Sequence, residues 1–273
     1  MAEPMELDDP QLPPFETLHL LKLIKDSQQK HGLRHNDYKR YSDYCDRRIR
    51  RIRKTLKFTN LHRCVPKHRA KFVGKKVTAD VVTDLKFVEL LTYQVEHCWA
   101  RGMEFKFASE DEHHTRQKFH ARRRLGKAMK HAEQLDSIAK TLPRIDSLTK
   151  LEAQAYFNYI SAAFYLEKKE WQAALDNYRQ SKAIYEKLSK IAQDSYLTAL
   201  YDNRCRELTG MIKVCEFNCS GNTNMAASAA NMAGLKLDDD SMNIDNLIAD
   251  AETTLSAKSA TQPKAEKKTK KGE

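Results

Sequence analysis

Residues 37–57 read DYKRYSDYCDRRIRRIRKTLK, and their spacing decides what kind of chain this is. At about 100° per residue, Tyr38, Tyr41, Cys45, Ile49, Ile52 and Leu56 fall within an arc of roughly 80°. Arg40, Arg47, Arg50, Arg51, Lys54 and Lys57 collect on the opposite side, while Arg48 and Arg53 flank the apolar stripe. A basic tail without structure has no reason to hold an apolar register over five turns. The segment predicts a helix from Asp37, with Asn36 as its N-cap. One face docks on the protein and the other carries guanidinium groups.

Charge concentrates around this helix. Residues 34–76 hold sixteen Lys+Arg against three acids, in a chain whose net charge is +11, so the remainder is close to neutral. From Arg47 to Lys76 there is no acid at all. A solvated helix face normally mixes signs, because like charges at i,i+4 oppose helix formation. Such a face wants an external polyanion. Lys71, Lys75 and Lys76 extend it through the connection after Lys57. The stretch around GKKVT (74–78) lacks the first Gly and the final Ser/Thr of a nucleotide-binding loop, since Arg69 and Lys76 occupy those positions.

Around this core reading, the chain predicts helices throughout. It has 41% apolar residues, enough for a core, and too few Gly and Pro for a turn-rich β protein. A first helix is expected from Phe15 to a left-handed cap at Gly32. Residues 79–108 read as a long apolar helix with Thr78 as N-cap, and residues 116–140 as another, whose Arg122, Arg123 and Arg124 form a second basic patch. Residues 153–188 suit one tetratricopeptide repeat, with small residues at Ala162, Ala174 and Ser181 and large ones at Tyr165, Trp171 and Tyr178. A last helix covers about 193–218. Beyond it the composition turns to Asn, Ala, Ser and Met, with a short amphipathic pattern at residues 244–255.

Other function classes find little support. No nucleophile elbow, carboxylate pair or metal triad is present, so an enzyme, a cofactor and a metal are not expected. No apolar run approaches membrane length, so no direct membrane insertion is expected. The acidic opening MAEPMELDDP has no apolar core of a secretory signal, and the six cysteines are expected to be reduced. A peptide-binding helical-repeat adaptor would use the repeat-like hairpin but leaves the arginine face unexplained. A nucleic-acid binder explains it. No leucine heptad follows the basic helix, as a zipper-type DNA reader needs. An arginine helix suits RNA whose groove is opened by a loop, bulge or junction.

The stretches HGLRHNDYKRYSDYCDRRIRRIRKTLKF, GKKVT, KAMKHAEQLD and TKLEAQAY, with the later Trp, Ala and IYEKL, carry a resemblance over roughly residues 18–218. They resemble the family of sixty-eight-kilodalton subunits of the eukaryotic signal recognition particle. The resemblance implies an all-helical, tetratricopeptide-like domain with a protruding arginine-rich helix, which binds and remodels the particle RNA near its S-domain junction. The family's arginine motif falls on Arg47, Arg48, Arg50, Arg51, Arg53 and Lys54. It implies pairing with the seventy-two-kilodalton partner subunit through a C-terminal part, and contact with ribosome and targeting receptor only through the assembled particle. It also implies a cytoplasmic protein that passes through the nucleolus for assembly and works at the endoplasmic reticulum. Residues after about 220 do not resemble the family, so the pairing is not carried over to this chain. The expected division is a disordered N-terminus at 1–14, an all-helical RNA-binding domain at 15–219 and a low-complexity, disordered tail at 220–273.

Overall fold

A computed structural model describes residues 15–65, 68–109, 115–220 and 244–253. The helices are α1 (Leu20–Lys30), α2 (Tyr38–Thr55), α3 (Lys86–Ala108), α4 (Thr115–Thr141), α5 (Ser147–Lys168), α6 (Trp171–Ile191), α7 (Ser195–Ser220) and α8 (residues 244–253). From α2 to α7 each helix packs chiefly on its sequence neighbours, giving an array of antiparallel hairpins. One core cluster joins α1–α5 through Ile24, Tyr41, Leu90, Leu91, Leu125 and Tyr156. The other joins α5–α7 through Leu151, Leu175, Tyr178, Ile184, Tyr185 and Leu208. The expected repeat-like hairpin is α5–α6. Its small residues let the helices approach, and Ser181 Oγ donates to the Ala155 carbonyl at 2.9 Å.

Several boundaries differ from expectation for identifiable reasons. Residues Phe15–His19 are extended rather than helical, because they are strapped to the α4–α5 turn. Phe15 N donates to the Arg144 carbonyl at 2.9 Å, and Leu18 N to Thr149 Oγ1 at 3.0 Å. Gly32 has φ 127°, and a Cβ there would meet the Asp37 carbonyl at 2.8 Å, so the turn requires glycine. Asn36 is the left-handed residue ending that turn (φ 57°), and Asp37 is the N-cap of α2, accepting from Arg40 N at 2.9 Å. Before α3, residues Ala79–Val81 form a single 3-10 turn and the α-helix starts only at Lys86. The β-branched run Val81-Val82-Thr83 resists helix, and Val82 is buried in the core instead.

The connection expected after Lys57 contains an antiparallel hairpin of β1 (Leu61–Val65) and β2 (His68–Val73), in register Leu61↔Val73 and Arg63↔Lys71. It is the exception to an otherwise helical architecture among the described residues. The stretch beyond Ser220 also holds more than low-complexity sequence. In α8, Ala251 is fully buried, and Ile244, Leu247 and Ile248 pack on the second core cluster. Lys187 of α6 pairs with Asp245. The described part of that amphipathic pattern, residues 244–253, is thus spent within the chain, and Leu255 lies outside the described residues.

Candidate nucleic-acid interface

Helix α2 is seated by the stripe read from its sequence. Tyr41, Cys45 and Ile52 are buried, and Tyr38, Ile49 and Leu56 are partly buried against the same core. Burying Ile52 contributes about 1.5–3 kcal/mol to that seat. A polar anchor adds direction. The buried Glu96 carboxylate of α3 accepts from Tyr41 Oη at 2.7 Å, from Tyr156 Oη of α5 at 2.5 Å and from Gln28 Nε2 of α1 at 2.9 Å. Hydrogen bonds to an ionised group contribute about 1.5–3 kcal/mol each. The helix is therefore held along its length, and what projects is its guanidinium face.

The basic residues divide by role. Arg40, Arg47, Arg51, Lys54 and Lys57 are exposed and have no carboxylate partner among the described residues. Arg51 Nε reaches only the Arg47 carbonyl, at 3.4 Å. Arg50 is exposed but pairs with Asp46 at 2.6 Å, one turn away. A surface pair of this kind contributes little and releases Arg50 easily.

Arg48 and Arg53, which flank the stripe, are turned inward. Arg48 is bound to Glu89 of α3 through Nη2 at 2.5 Å and Nε at 3.1 Å, and lies 5.8 Å from the Tyr93 ring centroid. Arg53 Nη1 donates to Asn60 Oδ1 at 3.0 Å and sits over the Phe58 ring, fastening the chain where it leaves α2. Burial holds its pKa below the ordinary guanidinium value. In the described arrangement these two shape the surface more than they supply it.

Beyond α2, Lys75 is drawn to the same corner. Its backbone N donates to Asn60 Oδ1 at 3.1 Å, and its ammonium lies 5.6 Å from the Phe58 centroid. Lys76 is exposed. The side chain of Lys71 lies outside the described residues. The second patch is not one surface. Arg122 Nε donates to the Glu167 carbonyl of α5 at 3.1 Å, Arg123 is exposed, and Arg124 acts electrostatically on His97 and Cys98 of α3. The structure brings Arg40, Arg47 and Arg51 onto one ridge and leaves Arg122 facing elsewhere.

A feature missed by counting charge is Tyr44. It stands one turn from Arg40 and from Arg47, at the margin between the charged side of α2 and the apolar stripe, with its ring against Tyr41 and Tyr93. Its ring stacks on His31 at the end of α1, with centroids 3.5 Å apart and 15° between planes. Lys30 and Arg34 of the α1–α2 corner, also unflagged, line a cleft of about 890 Å³ with Arg40. The sequence signal was available for Tyr44, as an aromatic residue at helical spacing within the arginine ridge.

These features have counterparts in known proteins. A sequence model of the family described as RNA-binding signal recognition particle 68 matches residues 33–272. The match runs past residue 220, correcting the expectation that the later residues stand outside the family. The chain is 37% identical over 234 residues to the signal recognition particle subunit SRP68 of Caenorhabditis elegans, covering 85% of this chain and 38% of that protein. It is 34% identical over 205 residues to the SRP68 subunit of Drosophila melanogaster, covering 75% and 33%. The chain thus spans about a third of the length of these relatives. The structure of the SRP68-RBD from Chaetomium thermophilum shares the fold, with a TM-score of 0.61 at 20% identity, covering 75% of this chain and all of that one. On the breadth of the family match and the identity to curated subunits, the chain belongs to the RNA-binding SRP68 family of the signal recognition particle.

Proposed function

We propose that this chain is the RNA-holding part of a signal recognition particle subunit, gripping structured RNA through the outer ridge of α2. The observation that carries this reading is the ridge itself, where Arg40, Arg47, Arg51 and Lys54 stand exposed without a carboxylate partner among the described residues. Guanidinium groups offer planar paired donors to phosphates and guanine edges. With α2 held by Glu96 and the core, those donors meet RNA already oriented. In this reading the site is the S-domain junction of the particle RNA, which the helix opens and remodels.

The wider role follows from the same reading. The assembled particle would direct ribosomes to the endoplasmic reticulum, and ribosome and receptor contacts would belong to the particle. The protein would work in the cytoplasm after assembly in the nucleolus. Pairing with the seventy-two-kilodalton subunit is a further proposal. A peptide-binding adaptor is the weaker alternative, since the α5–α6 hairpin spends apolar surface on α7 and α8.

Filter binding of particle RNA across a salt series tests the reading. Contact with roughly six phosphates should weaken binding by about 10³-fold between 50 and 200 mM salt. Affinity that stays flat over that range would overturn it.

A further inference from the structure

The arginine ridge has an aromatic centre. At about 100° per residue, Arg40, Tyr44, Arg47 and Arg51 lie within an arc of roughly 60°. Tyr44 is therefore framed by guanidinium groups along the helix, and His31 is stacked on it from α1. Both residues are partly buried and border a cleft of about 500 Å³, whose rim carries His19, Lys22, Asp26 and Lys30. Tyr41 and Tyr93 stand beside the Tyr44 ring, and Leu18 and Leu23 join those rim residues in lining the cleft that the stack borders.

We propose that the His31–Tyr44 stack holds an unpaired nucleobase of the bound RNA, with the flanking arginines gripping phosphates on either side of it. The proposal rests on the RNA-binding reading above. Any base has a π face, so stacking needs an accessible aromatic surface rather than a sequence-specific pocket. Asp26 and Lys30 at the rim offer an acceptor and a donor to the edge of such a base, although Asp26 already accepts from Tyr196 Oη at 2.7 Å. Burial, reinforced by Arg40, Lys30, Arg47 and Arg51, holds the His31 pKa below its ordinary range.

The test compares a plain RNA duplex with the same duplex carrying a short bulge that contains 2-aminopurine, at one salt concentration. The parent protein should prefer the bulged RNA and quench the probe. His31→Ala should weaken the bulged RNA by roughly tenfold and lose the quench, leaving plain-duplex affinity unchanged. His31→Phe should restore both, since it keeps an aromatic face. A variant that no longer folds would lose the plain duplex as well and is recognised by that loss, leaving His31→Phe to decide. If His31→Ala keeps the bulge preference and the quench, the stack holds no base and the proposal is overturned while RNA binding stands. If the parent binds neither RNA in a salt-dependent way, the RNA-binding reading fails and the proposal with it.

Discussion

Tyr41 of α2 donates its hydroxyl to the buried carboxylate of Glu96 in α3, 2.7 Å away, a polar contact directly beneath the arginine helix. Tyr41→Phe keeps the ring and deletes the donor. A buried carboxylate that loses one of its partners costs about 1–3 kcal/mol. Urea unfolding should show an unfolding free energy lower by that amount, read as a lower midpoint with the slope unchanged.

Arg47 and Arg48 are neighbours in sequence with opposite assignments, and alanine substitutions should separate them. Arg47→Ala should leave stability within about 0.5 kcal/mol of the parent, as an exposed change does. It should lower the salt slope of RNA binding by about 1. Arg48→Ala strands Glu89, which is only 15% exposed, and should lower the unfolding midpoint while the salt slope changes little. Paired unfolding and salt-titration curves for both variants would expose a failure in either direction.

Stability should fall on mild acidification. Burial holds the pKa of His97 and of His131 below the ordinary 6.5, with Arg124 and Arg101 adding to the effect at His97 and Lys127 at His131. Between the lowered values and 6.5 the unfolded chain binds more protons than the folded one, so stability rises with pH across that window. The urea midpoint should drop as pH falls from 7.5 through 6. His97→Gln combined with His131→Gln should reduce the dependence, leaving the share of His31; a parent whose midpoint is constant over that range would refute the assignment.

Removing residues 221–273 takes away α8 and uncovers the apolar surface that Ile244, Leu247 and Ile248 occupy on the second core cluster. The truncated protein should melt at a lower temperature, with RNA affinity close to that of the parent because the ridge is on α2. Leu247→Asp in the full chain should reproduce the lower melting temperature. An unchanged melting curve in both would mean that α8 adds nothing to the fold.

What could be read from the sequence was whatever is local. The stripe from Tyr38 to Leu56 reports its own burial, because helical period and docked face are one property. The α5–α6 hairpin announces itself by small and large residues at repeat spacing. Arg48 and Arg53 could be placed at the margin of the stripe, but not matched to Glu89 and Asn60, which lie elsewhere in the chain. The β1–β2 hairpin was hidden because its strands are short and basic. The docking of α8 was hidden because an amphipathic decapeptide reads the same whether its seat is its own chain, another protein or nothing. His31 carries no signal of its own in the sequence, since its partner becomes visible only when the Gly32 turn brings α1 beside α2.

The Glu96 anchor also sets an order of assembly. Tyr41 is 55 residues ahead of Glu96, and Leu21 is 131 residues ahead of the Glu152 carboxylate that accepts from its backbone. At about 5–20 residues per second, a ribosome making this chain delivers the arginine helix several seconds before its anchor. Without its packed face, and with like charges one turn apart such as Arg47 and Arg51, the 18-residue helix has little to hold it alone in water. During that interval the nascent chain carries its most basic segment without the seat that orients it. Orientation of the arginines is thus a late event in synthesis, and a polyanion that meets them earlier meets charge without geometry.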